Sequence, residues 1–371
     1  MANGATLHVD LGERSYPIHI AADLLSNLPS LLAARDVTTQ HPLFVVTDEN
    51  VDAHYGSDVL LSLRLAGYRV HKSVVPPGDR SKSLTVLERL VAEALEAGLD
   101  RSGVVLALGG GMIGDLAGFF AASFMRGIRY VQLPTTLLAH DSSVGGKVAV
   151  NHPLAKNVIG AFHQPLAVIY DIATLQTLST RERRSGFAEL LKHGFIRDAA
   201  LLDDVSENRE SLLAVKSPYI EEAILRGCRI KANVVANDER EQGLRAILNY
   251  GHTIGHAIEA LGGFSRFTHG EAIAIGMVGA AMVGEKLGTV REDVVTPTRK
   301  LLAAYGLPTA LPESFAEDDI VARMKHDKKN RAAELVMVLP TKWGDVDIFS
   351  GISEAVVRDV LTALKNPAEE G

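Results

Sequence analysis

The stretch VVLALGGGMIGD, which runs from Val104 to Asp115, decides the fold of this chain. Its five leading apolar residues predict a strand that is covered on both faces of a sheet. Three glycines follow at once, and the apolar segment after them continues to Phe124 and predicts a helix. Glycine lets the backbone approach a phosphate closely, and a helix N-terminus attracts negative charge. The stretch therefore favours a phosphate- or dinucleotide-binding turn, with a tight strand-to-helix turn without a ligand as the alternative.

Strand and helix signals alternate along the first half of the chain and change character in the second half. Strands are predicted at 6–9, 16–20, 43–47, 68–75, 104–108, 130–133 and 167–170, with a helix at 83–97. Helices are predicted at 181–193, 218–236, 252–261, 271–287, 291–305 and 353–364, with strands at 334–339 and 345–349. The first pattern predicts a mainly parallel sheet covered by helices. We expect an α/β domain in residues 1–180 and a mainly helical domain in 181–371.

Composition is that of an ordinary globular enzyme. Of the 371 residues, 47% are hydrophobic and 22% are charged, and the net charge of −7 argues against a dedicated nucleic-acid-binding protein. The N-terminus shows no basic cluster followed by an apolar core, so we expect no signal peptide. The single cysteine, Cys228, excludes an intrachain disulfide and fits a reducing cytoplasm.

A second informative stretch is LNYGHTIGHAIE, which runs from Leu248 to Glu259. In a helix, His252 and His256 project from one face, where imidazoles can hold a divalent metal or transfer protons. Glu189 and His269 lie in other predicted helices. Two imidazoles and one carboxylate with an open fourth position form a known catalytic zinc set, so Glu189, His252 and His269 are candidate ligands. His256 is a candidate fourth ligand or proton-transfer group, and two core or surface histidines are the alternative.

Polar residues follow several of the predicted strands. Asp48 is a candidate for ribose hydroxyls, whereas Asp79 and Lys82, considered alone, indicate helix caps and solvated charges. The run from Leu133 to Lys147 combines small hydroxyls, glycines and a lysine, which would suit phosphate or cofactor binding. The next segment, 151–157, is a turn-rich hairpin if it is considered alone. Basic residues at 126, 129, 245 and 325–329 are candidates for an anionic substrate or a solvated face.

Seven blocks, taken together and in order, resemble the 3-dehydroquinate synthase family within the wider sugar phosphate cyclases. They are GGGMIGDLAGF, FMRGIRYVQLPTTLLAHDSSVGGK, NHPLAKNVIGAFHQP, GFAELLKHG, RAILNYGHTIGHAIE, HGEAIAIGM and KHDKKN, within residues 109–330. The resemblance implies an NAD-binding α/β domain with a mainly parallel sheet and a mainly α-helical metal-binding domain, with the site between them. It also implies NAD and zinc, with cobalt as a substitute, as cofactors.

The resemblance also assigns residues. Glu189, His252 and His269 match zinc ligands. The positions that match the NAD site are Asp48, Asp79, Lys82, Gly110, Gly111, Gly114, Asp115, Thr135, Thr136, Asp141, Lys147, Lys156 and Thr177. Those that match the site of the phosphate-bearing substrate are Arg126, Lys147, Asn157, Lys192, Arg245, Asn249, His256 and one lysine of the pair Lys328–Lys329, with Lys328 preferred. His256 is our candidate for accepting the proton of the C5 hydroxyl.

The reaction implied by the resemblance belongs to the shikimate pathway, which leads to chorismate and the aromatic amino acids. A phosphorus–oxygen lyase converts 3-deoxy-D-arabino-heptulosonate 7-phosphate to 3-dehydroquinate and phosphate. The implied steps are transient NAD-dependent oxidation, phosphate elimination, reduction and intramolecular aldol cyclisation. The expected partner is this small phosphorylated sugar acid, with no nucleic acid or membrane, in a cytoplasmic homodimer. The alternatives are another cyclase such as 2-deoxy-scyllo-inosose synthase, a metal-dependent polyol dehydrogenase, and a non-catalytic NAD- or metal-binding regulator.

Overall fold

The computed structural model of this chain describes residues 4–263, 266–326 and 335–365, apart from the side chain of His326. The chain divides into two compact units. The first contains residues 4–178 together with Lys231–Arg240, and the second contains Ser179–Ile230 together with the described residues from Glu241 onward. Among the described residues, none of the helices combines the length and the apolar character that crossing a membrane requires.

The strands and helices are numbered here in chain order. The strands are β1 Ala5–Val9, β2 Tyr16–Ala21, β3 Leu43–Asp48, β4 Val70–Val75, β5 Val104–Gly109, β6 Arg129–Pro134, β7 Lys147–His152, β8 Ala155–Phe162, β9 Val168–Asp171, β10 Leu335–Lys342 and β11 Asp345–Ile352. The α-helices are α1 Leu28–Ala33, α2 Glu49–Val51, α3 Ser57–Leu65, α4 Leu84–Glu96, α5 Gly111–Ser123, α6 Ala139–Ser142, α7 Thr180–Arg197, α8 Ala199–Glu207, α9 Arg209–Leu213, α10 Tyr219–Asn237, α11 His252–Leu261, α12 His269–Leu287, α13 Val295–Ala304, α14 Glu317–His326 and α15 Glu354–Lys365.

A seven-stranded sheet organises the first unit. Its order is β1-β2-β9-β6-β5-β3-β4, and every neighbouring pair is parallel except β1 and β2. Successive side chains of β5 pack into two different hydrophobic cores. Val105 and Ala107 pack in one cluster, and Leu106 and Leu108 pack in the other. A side-chain period of two with both faces covered explains why these strands are apolar throughout. The predicted mainly parallel sheet is confirmed.

The strand order reverses between β3 and β5. The chain passes from β3 to β4 on one side, whereas β5 lies on the other side of β3 and continues outward to β6. In open α/β sheets, ligands bind outside the carboxyl ends of the strands at such a switch point. Those ends carry Asp48 after β3 and the glycine turn after β5. The topology thus selects the same edge that the glycine-rich sequence indicates.

The first unit also contains a hairpin that carries the candidate residue Asn157. Strands β7 and β8 form an antiparallel hairpin outside the main sheet. The turn-rich hairpin that the sequence indicates between Asn151 and Asn157 is therefore present, but its strands extend over Lys147–Phe162. Asn157 adopts a φ of 54°, a left-handed conformation that asparagine tolerates better than most residues.

The second unit is mainly helical, with one β10–β11 hairpin. Its central helices are α7, α11 and α12, and the last two pack closely because both carry glycine at the contact. A Cβ atom on Gly276 would lie 2.0 Å from the carbonyl oxygen of Gly251, and one on Gly255 would lie 3.0 Å from that of Ala272. Backbones can approach this closely only where side chains are absent. Helix α11 begins at His252 and ends at Leu261, as the sequence predicts.

Other helices differ from the sequence-based expectations. Helices α8, α9 and α14 were not predicted, and α13 begins four residues later than expected. The boundary at residue 180 remains a prediction. The structure adds that 231–240, which contains the end of α10, groups with the first unit. Cys228 on α10 is buried, as expected of a small core residue.

Candidate functional site: a histidine–carboxylate cluster and a glycine turn

Glu189, His252 and His269 meet in the second unit. Oε1 of Glu189 lies 3.0 Å from Nε2 of His269 and 3.5 Å from Nε2 of His252. The rings of the two histidines are 5.3 Å apart. The three ligand atoms therefore lie close enough together to coordinate one ion. A donor set of two imidazole nitrogens and one carboxylate oxygen suits zinc or cobalt.

Each of the three side chains is positioned by a well-defined helix. Glu189 lies in the middle of α7, whose N-terminus is closed by a capping box between Ser179 and Glu182. His269 is the first residue of α12, and a second capping box, between Thr268 and Glu271, fixes that end. His252 is the first residue of α11. It follows Gly251, whose φ of 78° is readily available only to glycine and sets the direction in which the helix starts.

Electrostatics in this cluster separate the two imidazoles. Burial, with help from the nearby charge of Lys192, holds the pKa of His252 well below its ordinary value, although Glu189 partly opposes this. Burial alone would also lower the pKa of His269, but Glu189 and Glu259 outweigh it and raise that pKa to about 9. Without an ion, the structure thus favours a neutral His252 and a charged His269.

Lys192 and His256 lie at the margins of the cluster. Nζ of Lys192 forms an ion pair with Oε2 of Glu189, and both side chains are 2% exposed. The ring of His256 is 5.0 Å from that of His252 and 5.9 Å from that of His269. His256 is partly exposed, so it can exchange protons with a ligand or with water.

The short helix before α11 carries the next two candidates. Arg245 is 1% exposed although its side chain is the largest among the fully buried ones. Nδ2 of Asn249 donates to Oε1 of Glu241 at 3.2 Å and to the carbonyl oxygen of Ala246 at 3.0 Å. Both residues lie on the 3₁₀ helix Leu244–Asn249, in the same unit as the metal-ligand candidates.

In the first unit, the nucleotide-binding candidates collect at the carboxyl edge of the sheet. Asp48 caps the short helix α2 through its Oδ1, which accepts from the amides of Asn50 and Val51. Gly110 is the N-cap of α5, and no side chain caps that helix end. A Cβ atom on Gly110 would lie 2.9 Å from Cγ2 of Thr136. The N–H groups at the start of α5 are thus available to an anion, as the sequence predicts.

Lys82 is not a solvated charge, and that interpretation of its isolated motif was wrong. It is 5% exposed, and its Nζ lies 2.5 Å from both Oδ2 of Asp115 and Oδ1 of Asn157. Burial raises the pKa of Asp115, and the charge of Lys82 works against that rise. The network links Lys82, two residues before α4, to the first turns of α5 and to the β7–β8 hairpin. The local sequence of Lys82 does not reveal these contacts.

The remaining predicted residues of the first unit are more dispersed. Lys156 pairs with Asp79 at 2.6 Å. Thr177 shares a hydrogen bond of 2.7 Å with the hydroxyl of Tyr55. Lys147 begins β7 with an exposed side chain, and Arg126 is exposed on a backbone with φ of 71°. Thr135 is buried and follows β6. Lys328 and Lys329 lie outside the described residues.

Lys231 is a charged residue that the sequence did not single out. Its side chain is 9% exposed, and its Nζ contacts Asp141 at the backbone oxygen, 2.5 Å, and at Oδ2, 2.9 Å. A lysine is rarely buried unless it is paired or functional. Lys231 lies in the amphipathic helix α10, where one more lysine at helical spacing gives no signal, so only the tertiary contact with Asp141 reveals it.

Relatives of this chain match it over nearly its whole length. The family model described as 3-dehydroquinate synthase N-terminal matches residues 72–185, and the one described as 3-dehydroquinate synthase C-terminal matches residues 186–330. A 3-dehydroquinate synthase from Desulforamulus reducens is 47% identical over 96% of this chain and 99% of its own length. A second, from Geobacillus kaustophilus, is 45% identical over 98% of each.

Solved structures agree in fold. A 2-deoxy-scyllo-inosose synthase, in complex with carbaglucose-6-phosphate, NAD+ and Co2+, is 28% identical with a TM-score of 0.86, covering 96% of this chain and 99% of its own. A 2-epi-5-epi-valiolone synthase from Streptomyces hygroscopicus, with NAD+ and Zn2+ bound, is 26% identical with a TM-score of 0.87, covering 96% and 98%. The resemblance drawn from the sequence motifs is confirmed, and this chain belongs to the 3-dehydroquinate synthase family.

Proposed function

We propose that this chain is a 3-dehydroquinate synthase, which converts 3-deoxy-D-arabino-heptulosonate 7-phosphate to 3-dehydroquinate and phosphate. One observation carries the proposal: relatives with this activity in their names are 42–47% identical over more than nine tenths of the chain. In that role the protein acts as a lyase of the shikimate pathway, on the route to chorismate and the aromatic amino acids.

The proposed metal is zinc, with cobalt as a substitute. Glu189, His252 and His269 would hold it, and the two nitrogens and one oxygen fit either ion. The two related structures that contain Co2+ or Zn2+ support this choice. When bound, such an ion polarises a carbonyl or hydroxyl oxygen of the substrate. Glu189 would bring the negative charge, and Lys192 would balance that charge on the side of Oε2.

The proposed redox cofactor is NAD+. Its pyrophosphate suits the uncapped N-terminus of α5, and the switch point between β3 and β5 is the edge where such ligands bind. The same two related structures contain NAD+, which supports the assignment. When bound, NAD+ would supply reversible hydride transfer, with the hydride returned to the substrate within one turnover. The proposed neighbours of the cofactor are Asp48, Asp79, Lys82, Asp115, Thr135, Thr136, Asp141, Lys156 and Thr177.

We assign the other residues by their chemistry. Arg245, a buried guanidinium, suits the substrate carboxylate, and Asn249 suits a hydroxyl. The residues proposed to bind the phosphate of the substrate are Arg126, Lys147 and Asn157. His256 would accept the proton of the C5 hydroxyl, because it is the partly exposed imidazole beside the ligand pair. Lys328 is also proposed for the substrate site. We add Lys231 to the proposed site residues because it contacts Asp141.

Another sugar phosphate cyclase is the alternative with a specific observation in its favour. The structure of a 2-deoxy-scyllo-inosose synthase has a TM-score of 0.86, but its sequence identity of 28% is below the 47% of a named 3-dehydroquinate synthase. We also expect a homodimer. The single cysteine supports a cytoplasmic location.

Substrate discrimination tests the proposed function. Purified protein with NAD+ and zinc should release phosphate from the heptulosonate phosphate and form 3-dehydroquinate, while glucose 6-phosphate should give no release above background. Phosphate is measured by a colorimetric assay and the cyclic product by mass spectrometry. Release from glucose 6-phosphate alone would contradict the proposal and favour an inosose synthase.

A further inference from the structure

Both ring nitrogens of His269 face carboxylates. Nε2 lies 3.0 Å from Oε1 of Glu189, and Nδ1 lies 3.2 Å from Oε2 of Glu259. Nε2 of His269 is the nitrogen on the side of His252, because Oε1 of Glu189 contacts Nε2 of both histidines. Nε2 is therefore the nitrogen that would bind an ion, and Nδ1 is left to carry the proton and donate to Glu259.

His252 is held in the same way, with Nε2 toward Glu189, but its Nδ1 faces a neutral carbonyl oxygen, which is a weaker acceptor than a carboxylate. Its Nδ1 lies 3.1 Å from the carbonyl oxygen of Tyr250, and its Nε2 faces Glu189. One imidazole is thus oriented by a neutral carbonyl and the other by a carboxylate. A carboxylate behind a ligating imidazole fixes the tautomer and the ring orientation and makes the ligand nitrogen more basic.

We propose that Glu259 is a positioning residue for the metal centre, holding His269 with Nε2 toward the ion and strengthening that ligand. The inference rests on the proposed function only in taking Glu189, His252 and His269 as the ligand set. Glu259 does not join that set, and it acts on the ion through His269. Nothing in its local sequence marks it, since a glutamate at the end of an amphipathic helix is ordinary.

The placement of Glu259 is rigid enough for this role. It lies on α11, seven residues after His252, so one helix carries both a ligand and the residue that orients the other ligand. Glu259 is only 9% exposed. The close backbone approach of α11 to α12 at Gly255 and Gly276 fixes the distance between Glu259 and His269.

A competing role for Glu259 uses the same geometry. His256, Glu259 and His269 also bring three ligand atoms together, so Glu259 could instead help to bind a second ion. That role would need Nδ1 of His269 as a ligand, whereas the proposed role needs it as a donor. The two roles predict different metal stoichiometries, one or two ions per chain.

Zinc affinity without substrate or NAD+ tests the proposal. Glu259→Gln keeps the shape but removes the charge, and Glu259→Ala removes the acceptor as well. Competition with a chromophoric chelator should show zinc binding weakened by roughly tenfold in Glu259→Gln and by up to about a hundredfold in Glu259→Ala. The visible absorption spectrum of the cobalt-loaded protein should change in Glu259→Ala, because His269 loses its fixed orientation. Asp359→Asn, which removes an exposed carboxylate from the same unit, is the matched control and should leave both readouts unchanged.

One equivalent of zinc per chain in wild type and in both variants, with the graded loss of affinity, would support the positioning role. Zinc affinity unchanged within twofold in both variants would overturn it. Two equivalents in wild type and one in Glu259→Ala, with the first affinity unchanged, would overturn it in favour of a second ion. If Glu259→Ala fails to fold, the near-isosteric Glu259→Gln still decides. Because no substrate is present, failure of the proposed catalytic activity leaves these outcomes unaffected.

Discussion

Glu189 and His269 show at the scale of single residues how the candidate metal site depends on its ligands. Glu189 is almost fully buried between Lys192 and the two imidazoles, whereas the His269 side chain is 30% exposed. His269→Ala should abolish stoichiometric zinc binding while far-ultraviolet circular dichroism stays native. Glu189→Gln should do the same, since a neutral amide is a poor zinc ligand.

Metal content by atomic absorption after dialysis measures the effect of both substitutions. Glu207→Gln, an exposed carboxylate of the same unit, is the control and should retain one zinc ion. In the wild type, removal of zinc with EDTA should abolish activity, and added zinc or cobalt should restore it. Full zinc content in both ligand variants would remove this assignment.

Single residues also show where sequence reasoning was sufficient and where it was not. His252 and His256 could be placed on one helix face from their spacing alone, and the structure brings their rings to 5.0 Å. Glu189 and His269 were candidates from their side-chain chemistry and from the family resemblance, because no local spacing joins α7 to α12. Lys231 and Glu259 were missed for the same physical reason. Their partners, Asp141 and His269, are reached through tertiary packing, which leaves no local pattern.

At the scale of secondary-structure elements, the contact between α11 and α12 fixes the positions of His252 and His269 relative to each other. Gly276→Ala should destabilise the protein by about 3 kcal/mol, because the new methyl group would lie 2.0 Å from the carbonyl oxygen of Gly251, just before α11, and force the helices apart. Zinc affinity should fall as well, since one ligand lies on each helix. Urea denaturation and chelator competition measure the two effects.

Gly279→Ala is the matched control for this prediction. It lies on the same helix, but its Cβ atom would meet only the ends of the Ile254 and Leu364 side chains, at 2.7 and 3.1 Å. These side chains can shift, so zinc affinity should remain native. Equal losses of zinc affinity in both variants would show that the backbone contact at Gly276 has no special role.

Glu239 lies two residues after the end of α10. Glu239 accepts two hydrogen bonds from Arg14, in the turn between β1 and β2, and one from Gln164 at 2.8 Å. Burial alone would raise the pKa of Glu239, but these partners outweigh it and lower the pKa. Glu239→Gln should therefore cost about 1 kcal/mol at neutral pH, a modest value because Arg14 is more than half exposed.

The sign of the pH dependence follows from that lowered pKa. A carboxylate with a folded-state pKa below its ordinary 4.5 contributes stability that is fully present above pH 4.5 and is lost as the pH falls through the folded-state value. The difference in unfolding free energy between wild type and Glu239→Gln should shrink over that range. A difference that stays constant down to pH 3 would contradict an ionic role for Glu239.

Elements with strong local signals were predictable, and the others were not. The apolar runs of β3 and β5 and the glycine-capped start of α5 determine their own conformations. The β7–β8 hairpin was outlined only by its turn residues, because its exposed face is partly apolar and hides the alternation. Helices α8 and α14 are short, with nine and ten residues, so their stability depends on tertiary packing more than on their local sequence.

At the scale of the whole molecule, the two units contribute different chemistry to the proposed reaction. The first unit contributes a glycine turn at a sheet switch point, and the second contributes the histidine–carboxylate cluster. A simple polyol dehydrogenase needs both of these. It does not need the additional cations Lys147, Lys192 and Arg245 for a phosphate- and carboxylate-bearing substrate, so these cations favour a cyclase.

The fate of the hydride distinguishes a cyclase from a dehydrogenase. Protein loaded with zinc is mixed with a large excess of the heptulosonate phosphate and a small, fixed amount of NAD+. Phosphate release and near-ultraviolet absorbance are then followed together. We expect many phosphates to be released per NAD+ with no accumulation of NADH, because the hydride taken from C5 is returned to the same carbon. NADH formed in step with substrate consumption, without phosphate release, would contradict the proposed cyclase activity and indicate a dehydrogenase.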